Sequence, residues 1–155
     1  FRPAPHSIVD ATGVLLEICN ARSRGIVFDV GHGCQSFNFD VAEIAMQSGF
    51  MPDTISTDLQ RGHIGMQPPH TLALVASKMM AIGMPLHMVL REITTRPLEV
   101  LGLGNDHGFR TGIPASFQIV SLSDDNQVLT DCLGNQRIGK LITSEVVIQK
   151  GKQIR

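Results

Sequence analysis

The chain has 155 residues, 43% of them hydrophobic, with 13 Lys and Arg against 14 Asp and Glu and a formal charge of −1. That length suits about one globular core, and the balanced charge offers no basic surface for nucleic acid or an anionic membrane. There is no Trp or Tyr on which bases could stack, and no apolar run approaches the ~18 residues of a membrane span. Three scattered cysteines, Cys19, Cys34 and Cys132, suit a reducing compartment, hence the cytoplasm, better than a disulfide framework.

The Pro-rich opening, Phe1-Arg-Pro-Ala-Pro-His6, lacks Met and a signal-peptide core and reads as the interior of a longer polypeptide. Residues 1–12 read as loop and Gly13 as a breaker. A helix is expected over 15–24, with Leu15, Ile18 and Cys19 on one face and Gly25 closing it. Residues 26–30 read as a buried strand, followed by the turn Gly31-His32-Gly33. A second helix over 41–48 should turn Val41, Ile44 and Ala45 inward and end at Gly49. Residues 54–57 form the next strand, and a polar loop runs over 60–69. Thr71 can cap a helix over 72–82, with Leu72, Val75, Ala76, Met79 and Met80 at helical spacing. Pro85 opens a helix to Thr94 and Pro97 a short one to Leu101. The methionines Met79, Met80, Met84 and Met88 read as core filling. After Gly104 helical spacing gives way to short strands over 117–122, 128–130 and 146–149, separated by turn clusters. A domain boundary is therefore expected there, dividing 1–103 from 104–155.

His32 follows a short apolar strand between two glycines, and Asp58 ends Pro52-Asp-Thr-Ile-Ser-Thr-Asp58. A His and an Asp at the C-terminal ends of successive strands have the placement of metal ligands at the top of a (β/α) barrel. A lone His after a strand is also a common structural residue, and a strand-end Asp a common turn or cap residue.

Five segments, in order and with compatible gaps, carry a resemblance. Gly25-Ile-Val-Phe-Asp-Val-Gly-His-Gly33 is similar to a G-V-x-F-D-V-G-H-G run, and Pro52 to Leu59 to P-D-T-I-S-S/T-D-L. Ile93-Thr-Thr-Arg-Pro-Leu-Glu-Val-Leu-Gly-Leu103 resembles A-T-x-N-P-A-x-x-L-G-L, and Gly108 to Ala115 resembles the G-x-L-x-x-G-x-x-A entry into a small β-sandwich. The closing Val147-Ile-Gln-Lys-Gly-Lys152 is similar to a final V-x-x-x-G strand pair. Together they resemble the amidohydrolase superfamily, in its dihydroorotase-like branch that includes N-acyl amino acid deacetylases, and they span nearly the whole chain.

The resemblance implies an α/β fold: the C-terminal part of a (β/α)8 TIM-type metallohydrolase barrel, then part of a small β-sandwich. It implies a divalent metal, zinc in most relatives, as one or two ions. Of the ligands, His32 would be a late histidine and Asp58 the aspartate of the last strand, which would also carry the proton in hydrolysis of a C–N bond. His63, in the loop after Asp58, and Gly33, beside His32, are candidates for substrate contact. Asp29 is either a partner that orients a ligand or a structural acid. Gln60 stands where such enzymes often carry His, and Ser116 where they carry Asp. His6 reads as a loop residue, and His70, His87 and His107 as helix-start, helix-surface and turn residues.

Part of the expected ligand set is missing. The chain has no His-x-His and no T-H-C/A run. Lys78, Lys140, Lys150 and Lys152 fall in helical or β-sandwich contexts that do not suit a bridging lysine. Two ligands do not make a four-coordinate site. The expected partners are thus a small-molecule amide, the missing N-terminal barrel portion or a subunit bearing it, and further copies in a homo-oligomer, with no nucleic acid and no membrane. The competing expectation is a non-catalytic amidohydrolase-like scaffold or inactive fragment.

Overall fold

The computed structural model describes residues 1–103 and 110–154. His107 and the first part of the Gly108–Ala115 match lie outside the described residues.

Two short parallel strands form the centre of the first part. The strand β3, Asp29–Gly31, pairs with β4, Thr54–Ser56, in the register Asp29↔Thr54, Val30↔Ile55 and Gly31↔Ser56. Val30 and Ile55 are buried at the heart of the main core, each stabilising by about 2 kcal/mol. Asp29 lies across the pair: Thr54 Oγ1 donates to its Oδ1 at 2.7 Å and Ser56 Oγ to its Oδ2 at 2.5 Å. It is a cross-strand clip. The strand is shorter than expected, because Ile26 and Val27 are exposed. A hairpin precedes it, β1 (Val9–Asp10) with β2 (Gly13–Val14), in the stretch expected to be loop.

The helix α1, Leu16–Ser23, buries no residue, and Cys19 is exposed. The crossover between β3 and β4 is α2, Phe39–Gln47. Asn38 caps it by accepting from Val41 N at 3.0 Å, so the helix starts two residues before the expected Val41. Its buried face is Phe39, Val41, Ala42 and Ala45; Ile44, expected inward, is exposed.

Thr71 Oγ1 accepts from Leu74 N at 3.1 Å and starts α3, Leu72–Ala81. Five consecutive residues of α3, Val75 to Met79, are buried, so it is covered on more than one side. It packs against β4 and also against two C-terminal strands, β7 (Gln136–Gly139) and β8 (Ile142–Gln149). Pro85 precedes α4, Leu86–Ile93, and α5 spans Thr95–Val100, starting before Pro97 rather than at it. Met79 and Met84 are buried core residues, as expected.

Beyond residue 110 the strands are antiparallel. β5 (Phe117–Leu122), β8 (Ile142–Gln149) and β9 (Lys152–Gln153) form one sheet, and β6 (Gln127–Thr130) and β7 (Gln136–Gly139) another. β7 lies where the sequence predicts no strand. Leu129 and Ile142 join the same core as Val30 and Ile55. Contact is close at Gly139, where a Cβ would lie 2.7 Å from Ala81 Cβ. Arg137 clamps β7 to α2, donating to both oxygens of Glu43 at 2.7 and 2.8 Å and to Asp40 at 2.8 Å.

Candidate functional site

The parallel register brings the ends of β3 and β4 together, so the loops holding His32 and Asp58 are neighbours. Gly33 N donates to Thr57 O at 3.1 Å. Gly33 has φ +48°, and a Cβ there would sit 2.5 Å from Asp58 Oδ2. Only glycine lets the Asp58 carboxylate lie against this backbone. Asp58 itself has φ +46°, an uncommon conformation for a non-glycine residue that Asp tolerates better than most. Its carboxylate is exposed and accepts from Gln60 Nε2 at 3.2 Å.

His32 is placed differently. It is only 6% exposed, and both ring nitrogens are engaged. Nδ1–H donates to Gly33 O at 2.8 Å, so Nε2 is the acceptor and receives Lys78 Nζ at 2.7 Å. The ring stacks on Phe37, with centroids 5.1 Å apart. Burial, then the neighbouring Lys78 ammonium, push its pKa down to about 4, so the imidazole is neutral at pH 7. Lys78 is 5% exposed, and burial lowers its pKa to about 8. The helical position that told against Lys78 as a functional residue is where it meets His32.

His63 is buried, not solvated. Gln60 N donates to its Nδ1 at 2.8 Å, which puts the proton on Nε2, facing Cys34 Sγ at 3.2 Å. His63 stacks on His70 with centroids 4.0 Å apart, and His70 lies 4.8 Å from the His32 ring. His70, which reads as a helix-start residue in the sequence, is thus a member of the cluster; Nε2 donates to Thr57 O at 2.9 Å.

These groups line a cavity of about 470 Å³, bounded by His32, Gly33, Cys34, His63, His70 and Lys78 on one side and by residues of β6 and Leu141 on the other. Asp58 is not among its lining residues. Asp131 reaches the cavity from the end of β6. Its two oxygens accept from Asn38 Nδ2, Phe39 N, Leu133 N, Asn135 N and Asn135 Nδ2. Burial opposes its ionisation, but the N–H groups of Phe39, Leu133 and Asn135 outweigh it and hold the carboxyl below the usual range.

Among the described residues no three His, Cys, Asp or Glu side chains converge as a metal cage. Asp58, open and anionic at a strand end, fits a divalent cation as one ligand. His32 fits one only by giving up Lys78 or Gly33 O.

No family model matches the chain. It is 38% identical over 128 residues to a deacetylase of Brucella anthropi, covering 82% of this chain and 31% of that protein. It is 38% identical over 112 residues to the deacetylase Atu3266 of Agrobacterium fabrum, covering 72% and 27%. A deacetylase of Enterococcus faecalis matches at 32% over 120 residues, covering 77% and 32%. The chain therefore spans about a third of the length of these relatives. Among solved structures, a dihydroorotase superposes with TM-score 0.79 at 32% identity, over 89% of this chain and 38% of that one. An adenine deaminase superposes with TM-score 0.88 at 29% identity, over 99% and 42%. The chain belongs to the amidohydrolase superfamily of hydrolytic enzymes, matching a fragment of its relatives consistent with a C-terminal portion.

Proposed function

We propose that this chain is part of a metal-dependent hydrolase of C–N bonds, acting on N-acyl or cyclic amides, and that Asp58 is its contribution to the chemistry. One observation carries this reading. Asp58 is an exposed carboxylate at the end of a parallel strand, held against Gly33 with its oxygens free of any protein cation in the described residues. The deacetylase, dihydroorotase and adenine deaminase relatives support a C–N bond as the target.

A divalent cation, zinc in this reading, would be held by Asp58 and by His32 Nε2 once Lys78 is released, with ligands from outside this chain, and when bound would polarise the carbonyl and acidify a water toward pKa ~7. The chain's own work is proton transfer and positioning. Asp58 takes the proton of the attacking water and returns it to the leaving nitrogen. Gly33 leaves room for that carboxylate, and Gln60 steadies one of its oxygens. His32 cross-links the β3 loop to α3 through Lys78, and His63 holds Gln60 and Cys34 beside it.

The finer architecture belongs to the same proposal. Two parallel strands with a helical crossover support a segment of a (β/α)8 barrel. The change to antiparallel strands after α5 supports a boundary near 103/104 and a partial β-sandwich. Ile119, Val120 and Leu122 of β5 are exposed, which supports a sandwich completed by elements outside this chain. No described helix is long and apolar enough to cross a membrane. The three free cysteines support a reducing, cytoplasmic setting.

The test is hydrolysis of a panel of N-acetyl amino acids by the chain assembled with the N-terminal portion of the protein. Asp58→Asn should lower kcat by at least about 10²-fold with the circular dichroism spectrum unchanged. Equal rates for wild type and variant would refute the assignment.

A further inference from the structure

The cavity between α3, the His63–His70 loop and β6 is not lined by Asp58, yet it is of ligand size, about 470 Å³. At its base lies the Lys78 ammonium, 5% exposed, with one hydrogen bond among the described residues, to His32 Nε2. An ammonium carries three donors, and a buried donor without an acceptor costs about 1–3 kcal/mol. The nearby acid does not supply that acceptor: the Asp131 oxygens already receive the five N–H groups described above. The histidines beside Lys78 add no negative charge. Met66, Leu74, Val128, Leu129 and Leu141 give the cavity an apolar stretch of wall, and Gln67, Gln127 and Thr130 add polar groups to its lining.

We propose that this cavity binds a small organic carboxylate with an aliphatic body, its carboxylate received by Lys78 and its chain lying against Leu74, Leu129 and Leu141. The cavity's one ammonium lies near the Asp131 carboxylate, so a second negative charge, as on a phosphate, would be opposed more than a single one. The aliphatic body follows from the apolar stretch formed by Leu74, Leu129 and Leu141. Asp58 does not line this site, although Gly33, against which Asp58 lies, does.

The probes are 4-methylpentanoate and its uncharged isostere 4-methylpentanamide, titrated into the full chain by calorimetry. The acid should bind at least about tenfold more tightly, because an ion-paired hydrogen bond is roughly twice as strong as a neutral one. Lys78→Met keeps an unbranched side chain of similar volume without the charge and should erase the preference. A second readout needs no variant. Cys34 lines the cavity while Cys19, exposed on α1, does not. Bound acid should slow alkylation of Cys34 by iodoacetamide and leave Cys19 unaffected. The proposal is overturned if acid and amide bind alike, if Lys78→Met keeps the preference, or if saturating acid leaves Cys34 alkylation unchanged.

Discussion

Gly33 follows His32 in the chain and lies against Asp58, and each of the three has one property that a substitution can remove. Gly33 has φ +48° and Asp58 Oδ2 where a Cβ would go. Gly33→Ala should cost about 1–2 kcal/mol from the left-handed backbone alone and also displace Asp58. The expected outcome is a fall in kcat larger than any change in KM, measured on the same N-acetyl amino acids; unchanged kcat would show that Asp58 does not need this backbone. For His32 the prediction concerns pH. Its folded pKa, about 4, lies below the ordinary 6.5, so between these values the unfolded chain binds more protons than the folded one. Stability should therefore fall as pH drops from about 6.5 toward 4, as an imidazolium forms in a buried site beside the Lys78 ammonium. Chemical denaturation at stepped pH should show that slope, and His32→Asn should flatten it. A variant as steep as wild type would assign the slope to other groups.

Among the elements, α3 best shows what periodicity conveys and what it omits. The spacing of Leu72, Val75, Ala76, Met79 and Met80 marks the helix and one buried face, and Thr71 caps it as its sequence position suggests. Ser77 and Lys78 fall on the other face, which a one-sided helix would expose to water. Strands β7 and β8 cover that face, with Ile142 N donating to Ser77 Oγ at 2.8 Å. Lys78 is therefore buried by a long-range contact that no local pattern encodes. His70 and His63 escape the sequence reading for the same reason, since their stacking depends on how the 60–70 loop folds back. By contrast, the Gly31-His32-Gly33 turn and the Asp58 strand end are local features, and the crossover between them was legible from β-branching, helix spacing and chain length.

The N-terminus of α2 makes a matching case. Asp131 receives Phe39 N and Asn38 Nδ2 at 2.9 Å each, so a residue of the second part holds the helix that follows the His32 loop. Asp131→Ala would strand those buried donors and should destabilise the chain by about 2 kcal/mol, read as a lower urea midpoint. A loss within about 0.5 kcal/mol, the range of ordinary surface substitutions, would show that the helix cap does not depend on Asp131.

For the whole molecule, the strands β3 and β4 pair only with each other among the described residues, and the chain covers about a third of its deacetylase relatives. The family resemblance, carried by five short segments, was legible because each is a contiguous run of sequence, the Gly31-His32-Gly33 turn and the Asp58 strand end among them. The ligand set was not, because a barrel site draws its groups from several strands and this chain supplies few of them. One carboxylate does not fill four positions around zinc. The most direct measurement is therefore the zinc content, by elemental analysis after dialysis, of the chain alone, of its assembly with the N-terminal portion, and of that assembly bearing Asp58→Asn. The account predicts little metal in the first, at least one ion per assembly in the second, and metal loss with loss of amide hydrolysis in the third. An active assembly free of metal, or one whose metal and activity survive Asp58→Asn, would contradict it.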